Sequence, residues 1–299
     1  MKKISNLYKL HNPAAAIGVF DGVHRGHQKI LKRLVREAAL SRRKSLVITF
    51  FPHPRRVLDP KSNVPSLISL GHRIRLIKDL GVDLLLVVRF KKSIAMMTPE
   101  DFIKKILTQK LNIKSLVVGK NFLFGSKGKG DFHSLKKLSK VYGFKLVGIE
   151  PVRLKGETIS STRIRKKIEG GDLKNAALML GRPVTVLGTV VRGRGIGKKI
   201  GFPTANIDPH HEVIPPSGVY AVDVEIYNKN FRGILNIGTR PTFSGDIDPS
   251  IEIHIFNFKN KLYGRDLEII FKRKIRNERR FGSIEALQKQ IKLDILRAR

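Results

Sequence analysis

Gly18-Val19-Phe20-Asp21-Gly22-Val23-His24-Arg25-Gly26-His27 joins the apolar run Ala14 to Ile17 to a segment, Gln28 to Leu40, in which Ile30, Leu31, Leu34, Val35, Ala38 and Ala39 recur at helical spacing. The apolar run reads as a buried strand. His24 and His27 therefore sit at a strand-to-helix junction, one above the other on the first helical turn. A helix N-terminus offers unpaired N–H groups and partial positive charge, which suits phosphate. Gly22 and Gly26 let backbone approach a bulky anion, and two imidazoles can donate to phosphoryl oxygens as charge grows on them. The bland alternative is a glycine-rich turn with two surface histidines. The agreement of strand, glycines, histidine spacing and helix favours phosphate chemistry.

Outward from this turn, strand and helix alternate. Ser45 to Phe51 reads as a strand closed by Pro52-His53-Pro54, Ser69 to Leu80 as a helix, and Asp83 to Phe90 as a strand. Thr98-Pro99-Glu100-Asp101 opens another helix with a cap, a first-position proline and two acids in the first turn. Ser115 to Val118 is a strand, His133 to Tyr142 a helix and Phe144 to Ile149 a strand. Five strands separated by helices specify a parallel, doubly wound α/β sheet. Its ligands belong at the carboxyl ends of the strands, where the histidine turn lies.

Two more motifs fall at strand ends. Gly119-Lys120-Asn121-Phe122-Leu123-Phe124-Gly125 continues through Gly128 and Gly130 as a loop carrying one amide and two aromatics. Ile159-Ser160-Ser161-Thr162-Arg163-Ile164-Arg165 places three hydroxyls at a helix start with arginines in its first turn. Hydroxyls and backbone N–H groups there grip phosphate, and an arginine neutralises a leaving pyrophosphate. An ordinary glycine-rich loop and an ordinary capped basic helix are the alternatives. Three phosphate-suited elements on one sheet edge favour a nucleotide site.

Composition bounds the rest. The 299 residues suffice for about two domains, and 41% hydrophobic with 28% charged residues describes a globular chain. No apolar run approaches the ~20 residues of a membrane span, and no apolar segment of the secretory kind follows Met1-Lys2-Lys3. Without cysteine there is no thiol chemistry, which fits the cytoplasm. The formal charge is +35, with 39 basic against 12 acidic residues in 1–182 and 20 against 12 in 183–299. That surface attracts polyanions, but its charges are scattered and aromatics are few. The expectation is a basic surface that draws in anionic nucleotides, with any nucleic-acid binding non-specific. The sequence sets no oligomeric state.

Asp172 to Leu180 reads as a short helix ended by Gly181-Arg182-Pro183, and the domain boundary is placed there, giving 1–182 and 183–299. Strands follow at Val184 to Val191, Gly218 to Ile226, Phe231 to Ile237, Ile251 to Phe258 and Leu262 to Phe271. Asn228-Lys229-Asn230 and Asn260-Lys261 read as turns, so a small antiparallel barrel is expected. Ser283 caps a last helix with Ile284, Leu287, Ile291 and Ile295 on one face.

The first barrel loop, Arg192-Gly193-Arg194-Gly195-Ile196-Gly197-Lys198-Lys199-Ile200-Gly201, can wrap a triphosphate, although on composition alone a basic hairpin is the simpler reading. It fits neither a Walker A nor a Gly-x-Gly-x-x-Gly spacing. Thr204 and Asn206 follow, two apart on a strand, with oxygens suited to Mg²⁺. In Ile251-Glu252-Ile253-His254-Ile255-Phe256 the isoleucines take the core face and Glu252 faces away. A carboxylate on a barrel exterior is ordinarily only a surface charge. It is also what an alcohol kinase needs to accept the hydroxyl proton.

The opening turn resembles the His-x-Gly-His signature of nucleotidyltransferases, which implies a Rossmann-like sheet. With Thr49-Phe-Phe-Pro-His-Pro54, the Asn121-Phe-Leu-Phe-Gly loop and Ile159-Ser-Ser-Thr-x-Ile-Arg165, the first half resembles the FMN adenylyltransferase half of bacterial FAD synthetases. That family often has an acidic residue where this chain has Asn121. Gly201-Phe-Pro-Thr-Ala-Asn206, Gly218-Val-Tyr-Ala-Val222, Asn236 to Phe243, Glu252 to Phe256 and Leu262-Tyr-Gly264 resemble riboflavin kinase. The whole chain is thus similar to the bifunctional riboflavin kinase/FMN adenylyltransferase family. The resemblance implies ATP, riboflavin, FMN and FAD as substrates and products, with Mg²⁺ as cofactor. It implies Glu252 as base, Thr204 and Asn206 at the metal, and Gly193, Gly195, Gly197, Lys199 and Gly201 around the phosphates. In the first half it implies His24, His27 and Arg165 on the transferring and leaving phosphates. It implies further that Gly18, Phe20, Asp21, Asn121, Ser160, Ser161 and Thr162 hold the nucleotide and position the substrates. The rival from another class is a basic RNA-binding protein on a nucleotide-binding fold.

Overall fold

The computed structural model describes residues 1–3, 12–61, 64–193, 195, 197, 200–226, 229–241, 247–258 and 260–299. They form two compact units. One comprises Met1–Ser66 and Leu70–Ser161, the other Leu67–Ser69 and Thr162–Arg299.

The first unit is built on a parallel sheet of β1 (Lys2–Lys3), β2 (Ala14–Ile17), β3 (Ser45–Phe51), β4 (Leu84–Arg89), β5 (Ser115–Gly119) and β6 (Lys145–Ile149), in the order β1-β4-β3-β2-β5-β6. Five of these strands match the expected ones. The two-residue edge strand β1, paired in parallel with Leu84 and Leu85, is the addition. Its shortness left no periodicity to read. The central strand β2 is Ala-Ala-Ala-Ile and fully buried, as a strand covered on both faces must be. Its neighbours β3 and β5 carry Leu46, Ile48, Leu116 and Val118 into one core with Phe102, Leu107 and Leu135.

The helices are α1 (Arg25–Leu40), α2 (Pro54–Leu58), α3 (Leu70–Asp79), α4 (Lys92–Ala95), α5 (Pro99–Asp101) and α6 (Phe132–Val141). Thr98 caps α5 as expected, accepting from the Asp101 N–H at 3.0 Å. Beyond it, Phe102–Lys110 winds as a π-type helix rather than continuing as α. Thr108 Oγ1 donates to the Ile103 carbonyl five residues back at 3.0 Å and to Lys104 O at 2.7 Å. A hairpin of β7 (Arg153–Leu154) and β8 (Glu157–Thr158) was not legible in the sequence.

The second unit opens with α7 (Ser161–Glu169, entering at Thr162) and α8 (Leu173–Leu180), whose cap Asp172 accepts from the Asn175 N–H at 3.2 Å. Its closed antiparallel barrel contains β9 (Thr185–Val191), β10 (Ala205–Asp208), β11 (Gly218–Ile226), β12 (Lys229–Pro241), β13 (Ile247–Ile255) and β14 (Asp266–Arg276), ordered β10-β13-β12-β11-β14-β9. Leu235, Ile253 and Ile269 are fully buried within it. Asn228 lies outside the described residues, while Lys229 and Asn230 pair with Ile226 and Glu225 as strand.

The last helix, α9 (Ile284–Ala298), is capped by Ser283 as expected. Ile291 and Ile295 pack on Val219, Ile234 and Phe256, but Ile284 is exposed. The buried positions of α9 are instead polar. Asp294 receives Arg276 Nε at 2.9 Å and Gln290 Nε2 at 2.7 Å. Hydrophobic periodicity does not report a helix face held by buried polar pairing.

Candidate active sites

In the first unit the site starts where β2 hands over to α1. His24 is the N-cap of α1, its Nδ1 accepting from the His27 backbone N–H at 3.4 Å. Imidazole does here what Ser, Thr, Asp or Asn usually does. With Nδ1 accepting, the proton of a neutral His24 sits on Nε2. His27 stacks on His24 with ring centroids 3.6 Å apart and planes 19° apart, and Phe20 meets His27 edge-on at 5.4 Å. Gly26 makes room for the His24 ring, since a Cβ there would lie 3.1 Å from its Cε1. Phe20 and Val23 have φ of 51° and 40°. That left-handed geometry is unusual for a β-branched residue and costs about 1–3 kcal/mol, a strain of the kind concentrated at functional turns.

A cavity of about 360 Å³ gathers Gly18, Phe20, Asp21, His24, His27, Asn121, Ser160 and Ser161. Eight residues singled out from three separate motifs thus meet on the carboxyl side of the sheet. Ser161 Oγ donates to the Asp21 carbonyl at 2.8 Å, tying its helix start to the histidine turn. Its hydroxyl is therefore engaged with protein. Thr162 and Arg165 follow on α7, in the second compact unit, and do not line this cavity; Thr162 is exposed and Arg165 buried. Burial first, then the His24 ring and the Arg73 charge, hold the His27 imidazole well below its ordinary value of 6.5.

A second, larger cavity of about 670 Å³ shares Ile17, Gly18, Val19, Phe122 and Leu123 with the first. Phe50, Phe90, Phe102, Phe122 and Phe124 line it, with Pro54, Val57 and Met96. Phe122 and Phe124 lie parallel, 5.7 Å apart. The two aromatics of the Asn121 loop are visible as a pair in the sequence. That Phe50, Phe90 and Phe102 join them is not, because three phenylalanines from three different elements share no spacing.

In the barrel, Glu252 on β13 stands directly opposite Asn206 on β10 and Asn236 on β12. These three side chains form a row on the face turned away from Ile251 and Ile253, as strand alternation requires. The glycine loop presses on the neighbouring oxygens. A Cβ at Gly193 would lie 1.9 Å from Asn206 Nδ2, and one at Gly197 2.8 Å from Thr204 Oγ1. His254 Nδ1 donates to the Pro203 carbonyl at 2.8 Å, and its ring meets Phe202 edge-on. Gln288 of α9 donates to the Ile200 carbonyl at 3.1 Å. The segment carrying Thr204 and Asn206 is thus held against the Glu252 strand. Gly195 and Gly201 both have positive φ, and Lys199 lies outside the described residues. Glu278, not singled out from sequence, comes close to the same face, its Oε1 2.6 Å from where a Gly238 Cβ would be.

Comparison with known proteins decides between the readings. The family model described as FAD synthetase matches residues 8–163, and the one described as riboflavin kinase matches 180–299. The bifunctional riboflavin kinase/FMN adenylyltransferase of Buchnera aphidicola (subsp. Schizaphis graminum) is 39% identical over 99% of this chain and 96% of its own length.

The chain belongs to the bifunctional riboflavin kinase/FMN adenylyltransferase family.

Other members show the same breadth of match. The Escherichia coli K12 enzyme is 39% identical over 95% of this chain and 90% of its own, and that of Haemophilus influenzae 38% over 96% and 93%. The chain is accordingly an enzyme of flavin cofactor synthesis with both activities, phosphorylation of riboflavin and adenylylation of FMN. Nothing in these matches points to RNA binding. A crystal structure described as a macrolide-efflux protein from Streptococcus pneumoniae shares the fold at a TM-score of 0.86 and 30% identity, covering 99% of this chain and 97% of that one. Among the described residues, no helix is long and apolar enough to cross a membrane.

Gly193 gives the first test of the kinase site. Gly193→Ala forces the Asn206 amide out of its position, because the new methyl would coincide with Nδ2. Riboflavin phosphorylation is expected to fall about tenfold or more, with FAD formation from supplied FMN unchanged, as measured by separating the flavins after timed incubation.

Proposed function

We propose that the two reactions run at separate sites, adenylyl transfer within 1–182 and riboflavin phosphorylation within 183–299. The observation that carries the reading of the first site is the pair of cavities sharing Ile17, Gly18 and Val19. One is walled by phenylalanines and suits the flat apolar ring system of a flavin. The other holds a helix start, two imidazoles and hydroxyls, and suits a triphosphate. A flavin phosphate leaving the phenylalanine-walled cavity meets the α-phosphate of ATP at their common wall. That phosphate is already ionised at neutral pH, so no strong base is needed. His24 and His27 supply donors where negative charge develops, and Gly18, Phe20, Asp21, Asn121, Ser160 and Ser161 hold the nucleotide. Pyrophosphate leaves and FAD remains.

In the barrel, Glu252 accepts the proton of the terminal ribityl hydroxyl as that oxygen attacks the γ-phosphate of ATP, giving FMN and ADP. Asn206 and Asn236, on either side of Glu252, fix the geometry of its carboxylate row. Gly193, Gly195, Gly197, Lys199 and Gly201 surround the phosphates. The donor set of Thr204 and Asn206, two neutral oxygens at the glycine loop, fits Mg²⁺. This ion keeps several waters and takes few protein ligands beside substrate phosphates. When bound, Mg²⁺ neutralises charge on the β- and γ-phosphate oxygens.

Incubation with riboflavin, ATP and Mg²⁺ is expected to yield FMN, then FAD and pyrophosphate. A chelator in excess over the metal is expected to stop FMN formation, and added Mg²⁺ to restore it. FMN formation undiminished by the chelator would remove Thr204 and Asn206 as metal ligands.

A further inference from the structure

The ladder joining β10 to β13 ends just before Thr204. Its last pair is Ala205 with Ile253, beside Asn206 with Glu252, and Thr204 enters no ladder pair among the described residues. Pro203, one residue earlier, has no N–H to give to a ladder. A side chain makes the tie instead. His254, two residues from Glu252 and on the same face of β13, donates from Nδ1 to the Pro203 carbonyl at 2.8 Å. A carbonyl only accepts, so this nitrogen carries the proton of the neutral ring. The ring stands edge-on to Phe202 with centroids 5.9 Å apart, and 5.8 Å from the ring of Phe256. Phe202 in turn donates its backbone N–H to the Gly197 carbonyl at 2.8 Å, inside the glycine loop. One imidazole thus ties the strand of Glu252 to the segment that runs from the glycine loop to Thr204.

We infer that His254 is a positioning residue for riboflavin phosphorylation, its Nδ1–H fixing the peptide that leads into Thr204 relative to Glu252. The role rests on the reading of Glu252 as the base and Thr204 as a ligand of Mg²⁺. The Pro203 carbonyl and the Thr204 N–H lie in one rigid peptide plane, so holding the oxygen sets the direction in which Thr204 leaves it. Register does this for Asn206, which stands directly opposite Glu252. For Thr204 no ladder bond does, and the imidazole supplies the missing constraint. A drift of ~1 Å between groups that must align on one phosphate costs ~10²-fold in rate. The plain alternative is a ring packed beside two phenylalanines, with a hydrogen bond that only satisfies its nitrogen. His254→Phe would then be harmless to catalysis.

Three variants of the full-length chain test the role. His254→Phe keeps a ring at the site and removes the donor. His254→Asn places an amide N–H near the position of Nδ1, whereas His254→Gln places one near Nε2. In His254→Phe, kcat for FMN formation is expected to fall about tenfold or more, with KM for riboflavin within about twofold. The Mg²⁺ concentration giving half-maximal rate should rise about fivefold. His254→Asn should recover most of each loss and His254→Gln little. FAD formation from supplied FMN and thermal unfolding should match the parent in all three, reporting that both units are folded. Nitrogen NMR of the ¹⁵N-histidine-labelled parent at neutral pH, which needs no turnover, is expected to show His254 protonated on Nδ1. Protonation on Nε2 alone overturns the inference, as do parental kinetics in His254→Phe. So does a His254→Gln enzyme as active as His254→Asn, a comparison that stands even where His254→Phe does not fold. Full FMN formation by Glu252→Gln would instead overturn the reading of the barrel site, while the Nδ1 proton would still report the bond to Pro203.

Discussion

Glu252→Gln is expected to lower FMN formation from riboflavin by ~10²–10⁴-fold, the usual range for loss of one general base. FAD formation from supplied FMN should remain within about twofold. The substitution keeps size and hydrogen-bonding reach and removes only the ability to take a proton. Glu252 sits in the middle of β13, between Asn206 and Asn236 on its two neighbouring strands, so its backbone is fixed by ladders on both sides. An amide there stands opposite two others, and the barrel core of Ile251, Ile253 and Leu235 lies on the other face. Misfolding is therefore not the expected route to lost activity. Glu278 supplies the control, because it approaches the same face from beyond β14 near Gly238. Glu278→Gln should cost less than Glu252→Gln. The reverse order, or a Glu252→Gln enzyme within about tenfold of the parent, would move the base to Glu278 or elsewhere.

His27→Ala is expected to produce the reciprocal enzyme, which makes FMN at the parental rate and FAD ~10²–10³-fold more slowly. That is the range for removing one preorganised donor from a site of developing negative charge. His24→Ala should cost at least as much, because His24 is both a donor and the cap of α1. Removing it leaves the His27 N–H without its acceptor and takes away the ring on which His27 stacks. Loss of an N-cap costs about 1 kcal/mol. His24→Asn keeps a capping side chain and should restore stability without restoring FAD formation. Thermal unfolding of the two His24 variants, set beside their FAD-forming rates, separates the cap from the donor. If His27→Ala cut both reactions equally in a folded protein, two independent sites would be wrong and a shared one required.

The periodicities that depend on neighbours along the chain were legible in the sequence. The strands before and after the turn and its helix, the cap at Thr98, the barrel strand over Gly218 to Ile226 and the cap at Ser283 follow from local propensity, and each is found where the spacing puts it. The motifs were legible too. His24 to His27, Asn121 and Ser160 to Ser161 are short strings whose backbone is set by adjacent residues, and the parallel order of the sheet brings them to one edge. What tertiary structure alone decided involves residues far apart in the chain. Five phenylalanines wall a cavity only because β3, the end of β4, the π-type helix and the Asn121 loop converge. Asn206 meets Glu252, and Glu252 meets Asn236, through barrel register, and a register shifted by one residue would turn each to the other face. Gly26, at the wall of the cavity that holds His24 and His27, also leaves room for the His24 ring, which only the folded turn reveals. Arg73 looked like one more basic residue on a helix of a very basic chain, and burial at Thr49 and Phe50 makes it different. Sequence sets charge and period; which charge is taken out of water depends on packing between elements that no local pattern encodes.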